Sequence, residues 1–92
     1  MAVDVKIPTV LRAQVDGQSS VAVEGSTVGA AFDELISRYP GVKANLIGDD
    51  GGLHKFVNVY VNDEDIRYLD KLDTALGAGD TITILPAVAG GS

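Results

Sequence analysis

The chain has no cysteine, no tryptophan and a single histidine among its 92 residues. Without cysteine it can form neither disulfide bonds nor a thiolate zinc site, so its stability must come from a hydrophobic core. Only two Phe and three Tyr are present, although 46% of the residues are hydrophobic. We therefore expect one small domain whose core consists mainly of aliphatic side chains.

Basic residues are also scarce, since seven Lys and Arg stand against 13 Asp and Glu, a formal charge of −6. Such a chain repels nucleic-acid phosphates and anionic membranes, which disfavours both as partners. No apolar run approaches the roughly 20 residues needed to span a bilayer. The first residues lack the basic start and apolar stretch of a signal peptide. These features predict a cytoplasmic protein that docks on a basic partner surface.

Residues suited to an active site are few. His54 has no cysteine or second histidine with which to share a metal, so we interpret it as a surface residue or one with satisfied hydrogen bonds. Asp63, Glu64 and Asp65 are adjacent in a predicted turn, and a solvated turn explains them better than a calcium loop. The serines and glycines form no nucleophile elbow or phosphate-binding loop. We expect no catalysis, metal or bound cofactor.

The predicted elements follow the order β-β-α-β-(β)-β. Period-2 alternation in residues 3–7 and 21–23 predicts a hairpin, and apolar residues at helical spacing in 28–36 predict one amphipathic helix. Further strands are predicted at 56–61 and 81–85. This order is typical of the α+β class with the β-grasp, or ubiquitin-like, fold. In that fold a mixed sheet of four to five strands packs on one main helix, and the last strand lies centrally.

The last seven residues contain no charged side chain and no bulky one after Val88. Gly90 and Gly91 have large conformational entropy and no side-chain contacts, which predicts a flexible tail over 87–92 beyond a domain over 1–86. A bare backbone of this kind can enter a narrow enzymatic cleft. A Gly-Gly-Ser ending is equally typical of a frayed terminus or of residues added during expression.

An apolar docking patch is predicted beside this tail. Leu85 belongs to the outer face of the last strand, and aromatic side chains of the preceding strand would extend the patch if they share that face. The alternative is that these side chains pack on the loop 48–53. The residues predicted to bind a partner are Leu85, Val88, Arg12, Phe56 and Tyr60.

Residues 7–12, 37–41 and 77–91 resemble the ThiS/MoaD family of ubiquitin-like sulfur carriers. The most specific part is the close of the chain, where Gly-Asp precedes the last strand and Pro-x-Val-x-Gly-Gly follows it. The resemblance covers essentially the whole domain. Residues 53–67 and 84–91 are most similar to the actinobacterial members that serve cysteine biosynthesis.

This resemblance implies a mechanism centred on Gly91, preceded by Gly90. A ubiquitin-activating-enzyme-like adenylyltransferase would use ATP to convert the Gly91 carboxylate to an acyl-adenylate, and a rhodanese-type persulfide donor would leave a thiocarboxylate. The thiocarboxylate would attack an aminoacrylate held on the pyridoxal phosphate of a cysteine synthase. A zinc metalloprotease acting on the tail would release cysteine. ATP and pyridoxal phosphate are therefore expected on partner enzymes, and none on this chain.

The sequence departs from the family in one respect. Ser92 follows Gly91, so the Gly91 carboxyl group is held in a peptide bond and cannot be activated. Either a protease removes Ser92 or Ser92 was added during expression. Two other functions stay open: a sulfur carrier for molybdopterin or thiazole synthesis, and a ubiquitin-like interaction or modifier protein that carries no sulfur.

Overall fold

The computed structural model describes residues 2–48, 51–52, 54 and 57–86. Within them lie the following strands and α-helices: β1 (Ala2–Lys6), β2 (Ser20–Glu24), α1 (Val28–Arg38), α2 (Lys43–Leu46), β3 (Val57–Val61), β4 (Glu64–Asp65) and β5 (Thr81–Pro86). Short 3₁₀ segments cover Thr9–Val15, Pro40–Val42, Ile66–Tyr68 and Lys71–Asp73. The predicted tail and Phe56 lie outside the described residues, so the boundary at residue 86 stays a prediction.

The strands form one mixed sheet in the order β2-β1-β5-β3-β4. β5 pairs in parallel with β1, where Lys6 lies opposite Thr83, and antiparallel with β3, where Asn58 lies opposite Leu85. The last strand is therefore central, as predicted. Because β1 and β5 are parallel, the connection after β1 and the chain after β5 leave the sheet at the same end, which we call the tail end.

The core lies between one face of this sheet and α1. Alternate strand residues and one stripe of α1 fill it, as the two periodicities predict. Its members include Val3, Val5, Val21, Val23, Val59, Ile82 and Ile84 from the strands and Val28, Ala31, Phe32 and Leu35 from α1. Aliphatic side chains thus dominate the core, as expected. Within the described part of the chain, no helix is long and apolar enough to cross a membrane.

Helix α1 begins next to two capping candidates, Ser26 and Thr27. The Thr27 Oγ1 atom accepts a hydrogen bond from the backbone N–H of Ala30 at 3.1 Å, which identifies Thr27 as the cap. The helix ends at Arg38, two residues before Pro40, because a residue that precedes proline is disfavoured in helical geometry.

We expect Thr27→Ala to lower the free energy of unfolding by about 1 kcal/mol, the usual cost of a lost cap. Ser26→Ala serves as the matched control and should change it by less than about 0.5 kcal/mol. Urea denaturation measures both variants. Equal losses at the two positions would contradict the assignment of the cap.

The connection between β1 and β2 is more ordered than the sequence predicted. The turn at Asp16 and Gly17 is present, with φ of 57° and 78°. The 3₁₀ segment Thr9–Val15 was not predicted. It is anchored by the buried side chains of Leu11 and Val15, whose spacing is too short to reveal a periodic pattern.

Asn62 and Asp80 link the turn after β3 to the start of β5. The Asn62 Nδ2 atom donates to Asp80 Oδ1 at 3.0 Å, and the backbone N–H of Gly77 donates to Asp80 Oδ2 at 2.8 Å. These hydrogen bonds favour the ionised carboxylate, so they lower the pKa of Asp80, with the Gly77 N–H as the larger cause.

Because the pKa of Asp80 is lower in the folded chain than in the unfolded chain, its carboxylate stabilises the fold above about pH 4. This contribution is lost as the pH falls through the folded pKa. We expect Asp80→Asn, which keeps only one acceptor oxygen, to be less stable than the wild type at neutral pH. The difference should shrink in acid, as measured by denaturation at several pH values. A difference that stays constant from neutral to acid pH would contradict this role.

Candidate functional site

The outer face of the sheet is the face turned away from the core and α1. Alternation places every second strand residue there. Around the central strand the outer face presents Asp4 and Lys6 from β1, Asn58 and Tyr60 from β3, and Thr81, Thr83 and Leu85 from β5.

Leu85 is the apolar residue of β5 on this face, and 45% of it is exposed. It lies at the tail end, one residue before the last residue of the strand. Val10, which is 68% exposed, belongs to the connection that leaves β1 at the same end. Exposed apolar side chains of this kind are suited to contact a partner protein. Leu85 was predicted from alternation, whereas Val10 was not.

Tyr60 shares the outer face with Leu85, which is the condition under which it would extend the predicted patch. It lies opposite Thr83 and is half-buried. Phe56 precedes β3 outside the described residues, so the predicted patch is placed only at Leu85 and Tyr60. The role of these two residues in binding stays a prediction.

Arg12 lies in the 3₁₀ segment Thr9–Val15, at the tail end. Its Nε atom donates a hydrogen bond of 3.2 Å to the carbonyl oxygen of Ile7, which holds the side chain close to the end of β1. Within the described ranges, Arg12 forms no ion pair with a carboxylate. Apart from the bond to Ile7, the half-buried side chain of Arg12 has no hydrogen-bond partner among the described residues.

A polar cluster of Asn58, Asp65 and Arg67 lies beside Leu85 on the same face. Arg67 Nη2 donates to Asp65 Oδ2 at 3.0 Å and also to Asn58 Oδ1. The hydrogen bonds from Arg67 lower the pKa of Asp65, and the side-chain bond to Asp65 raises the pKa of Arg67. Because Asn58 pairs with Leu85 across the strands, this guanidinium group is fixed near the exposed leucine.

Sequence reasoning missed this cluster. Alternation alone puts Asn58 on the outer face, but the position of Arg67 depends on the turn that reverses the chain after β3. In that turn Asn62 and Asp63 adopt left-handed geometry, with φ of 50° and 75°. The sequence indicated the turn without indicating which face the following residues would reach.

The acidic run 63–65 is distributed between a turn and a strand. Asp63 belongs to the turn, Glu64 and Asp65 form β4, and Asp65 is paired with Arg67. His54 donates its backbone N–H to the carbonyl oxygen of Leu46. Among the residues that the structure describes, no group of three or more His, Asp or Glu side chains is arranged to hold a metal ion.

A five-stranded mixed sheet with a central last strand, packed on one main helix, is the fold of the small ubiquitin-like proteins, and comparison with known proteins identifies the family. The chain belongs to the ThiS family, whose model matches residues 5–91. It is 50% identical over 93 residues to sulfur carrier protein CysO of Mycobacterium tuberculosis (strain ATCC 25618 / H37Rv), across 99% of this chain and 100% of that protein.

Two further similar proteins support the assignment to this family. A chain in the crystal structure of the Amycolatopsis orientalis BexX/CysO complex superposes with a TM-score of 0.89 and 50% identity, over 96% of this chain and 98% of that chain. Small archaeal modifier protein 1 of Haloferax volcanii is 37% identical over 82 residues, which cover 86% of this chain and 90% of that protein.

These comparisons confirm the predicted family resemblance and the β-grasp fold. The relatives are carrier and modifier proteins rather than catalysts, which confirms the prediction that the chain is not an enzyme. The roles predicted for Gly90, Gly91 and Val88 fall outside the described residues and stay predictions.

Proposed function

We propose that this chain carries sulfur as a thiocarboxylate on Gly91, after removal of Ser92, and donates it in cysteine biosynthesis. The observation that supports this most directly is the 50% identity, over its full length, to a protein named sulfur carrier protein CysO. The match to the ThiS family model ends at Gly91 and leaves Ser92 outside. This end point supports Gly91 as the residue that carries the sulfur.

The proposed chemistry begins with a carboxylate, which is a poor acyl electrophile. One Gly91 carboxylate oxygen would attack the α-phosphorus of ATP and release pyrophosphate, which gives an acyl-adenylate with AMP as a good leaving group. A persulfide sulfur on the donor would then attack the acyl carbon and displace AMP. A second thiol would cleave the resulting sulfur–sulfur bond, so that the donor becomes a disulfide and the thiocarboxylate stays on Gly91.

The fold supports such a role because β5, the strand that precedes residues 87–91, is held within the sheet. β5 is hydrogen-bonded to β1 on one side and to β3 on the other, so the point from which the tail leaves is fixed. The five residues 87–91 can span at most about 17 Å. An enzyme can therefore hold Gly91 in its active site while its surface contacts Leu85 and the rest of the tail end.

The partners are those that the family resemblance implies. Activation would use a ubiquitin-activating-enzyme-like adenylyltransferase, which binds ATP, together with a rhodanese-type sulfur donor. The sulfur would be accepted by a cysteine synthase that carries pyridoxal phosphate, and a zinc metalloprotease would act on the tail, both to expose Gly91 and to release cysteine. We place these steps in the cytoplasm, with this chain as a protein co-substrate.

The test compares two forms of the chain, one that ends at Gly91 and one that keeps Ser92. Each is incubated with the adenylyltransferase, ATP and a persulfide donor, and its intact mass is measured. The Gly91 form should gain the mass difference between sulfur and oxygen, and the Ser92 form should gain nothing. If the Gly91 form gains no mass, the carrier function is refuted. Adding the cysteine synthase should then produce cysteine and consume the thiocarboxylate.

A second candidate function is that of a ubiquitin-like modifier, which the 37% identity to small archaeal modifier protein 1 favours. In that case the activated Gly91 carbonyl would form an amide bond with a lysine amine of another protein. The same incubation without a sulfur donor, followed by peptide mass spectrometry, detects such an isopeptide bond. Sulfur transfer to molybdopterin or thiazole synthases is separated from the cysteine pathway by supplying each acceptor in turn.

A further inference from the structure

Charge is divided unevenly between the two ends of the sheet. At the tail end, Lys6 and Arg67 lie on the outer face and Arg12 lies in the connection that follows β1. At the opposite end, where β5 begins and β3 ends, Asp4 lies on the outer face, and further carboxylates belong to the turns and to β4: Asp63, Glu64 and Asp80. Among the described residues, the end of the sheet from which the tail leaves is thus basic, although the net charge of the chain is −6.

The cations at the tail end differ in their partners. Arg67 is paired with Asp65, so its charge is largely offset. Lys6 is exposed on β1, and neither Lys6 nor Arg12 forms an ion pair within the described part of the chain. Asp16 is the acidic residue of the connection that contains Arg12. Among the described residues at this end, two cations without an ion pair therefore outweigh Asp16, the carboxylate that Arg67 does not offset.

The length of the tail decides which part of the outer face meets an enzyme bound to Gly91. The reach of residues 87–91 is at most about 17 Å from the end of β5. The row that contains Thr81 and Asp4 lies four residues farther back along β5 than Leu85, about 13 Å at the usual strand rise. The enzyme surface next to its active site therefore contacts the region around Leu85 before it reaches the acidic end.

Salt screening further reduces the effect of the acidic end on a partner that is bound beside Leu85. At physiological ionic strength the Debye length is about 8 Å, shorter than the separation of about 13 Å between the two rows. A partner surface beside Leu85 therefore experiences Lys6 and Arg12 more strongly than the distant carboxylates. The local charge, and not the net charge, determines which partner surface fits.

We propose that Lys6, Arg12 and Leu85 form a docking surface for an acidic face of the adenylating enzyme, where carboxylates flank an apolar site for Leu85. This inference rests on the proposed function, because that function supplies the enzyme. It differs from the expectation of a basic partner surface that net charge alone suggested.

The test measures the dissociation constant between the adenylating enzyme of the same organism and the chain that ends at Gly91, without ATP or a sulfur donor. The double variant Lys6→Glu, Arg12→Glu reverses the charge of the docking surface. Lys6→Glu alone removes no side-chain hydrogen bond found among the described residues, so it guards against a loss of folding. The matched control, Asp4→Lys with Glu64→Lys, reverses two charges at the opposite end.

We expect the double variant to raise the dissociation constant roughly tenfold or more, Lys6→Glu to raise it severalfold, and the control to change it little. Added salt should weaken binding of the wild type. Tighter binding by either tail-end variant would indicate a basic partner surface and would overturn the proposal. An unchanged dissociation constant for the double variant would also overturn it, and so would a wild type that does not bind the enzyme. Failure of the proposed function looks different: the wild type binds but gains no sulfur with ATP and a donor.

Discussion

Phe32→Ala should lower the free energy of unfolding by about 3–5 kcal/mol, the largest effect on stability that we expect from a single substitution in this chain. Phe32 is 1% exposed and is the largest of the fully buried side chains. Its removal would leave a cavity between α1 and the sheet that small aliphatic neighbours cannot fill. Because small domains are stable by only about 5–15 kcal/mol, the variant would approach the limit of folding.

Tyr68→Ala is the matched control, because it truncates an aromatic side chain that is 87% exposed. It should change the free energy of unfolding by no more than about 0.5 kcal/mol. Urea denaturation followed by circular dichroism measures both variants, and the slope of the transition should stay the same. Similar losses for the two variants would mean that Phe32 is not central to the core.

Leu85→Glu should have the largest effect on the proposed activation of the chain by an adenylating enzyme. We expect the KM for the carrier to rise about tenfold or more while kcat is kept, because a central apolar contact is replaced by a carboxylate. The change should affect binding rather than folding, since Leu85 is 45% exposed and lies on the outer face. Steady-state rates of thiocarboxylate formation at several carrier concentrations separate KM from kcat.

Ala22→Glu is the control for the added charge. Ala22 is also exposed on the outer face but lies on the edge strand β2, two strands from β5, which is about 10 Å at the usual spacing. It should leave KM within a factor of about two. A rise in KM for Ala22→Glu equal to that for Leu85→Glu would show that charge alone is responsible. A denaturation curve for each variant checks that the fold is kept.

Much of the fold could be predicted because local pattern and tertiary packing agree. The alternation around Val59 and Ile84, and the helical spacing that includes Phe32, each match one buried face. The 3₁₀ segment Thr9–Val15 could not be predicted, since it is held by the packing of two side chains and not by a repeating pattern.

The candidate site was predicted less completely, because part of it depends on tertiary contacts and not on a repeating pattern. Leu85 and Tyr60 follow from alternation along a strand, which a single sequence reveals. The fixed position of Arg67 depends on a reversal of the chain and on contacts with two other strands. The basic character of the tail end likewise requires the parallel pairing of β1 with β5, which joins distant parts of the sequence.

The central position of β5 has a consequence for how the chain is made. The sheet is incomplete until β5 has been synthesised, so folding depends on contacts between β1 and β5, which are far apart in the sequence. A product of premature termination before Thr81 would lack the middle of its sheet and would be open to proteolysis. Chains that stop before Thr81 should therefore be removed as misfolded protein.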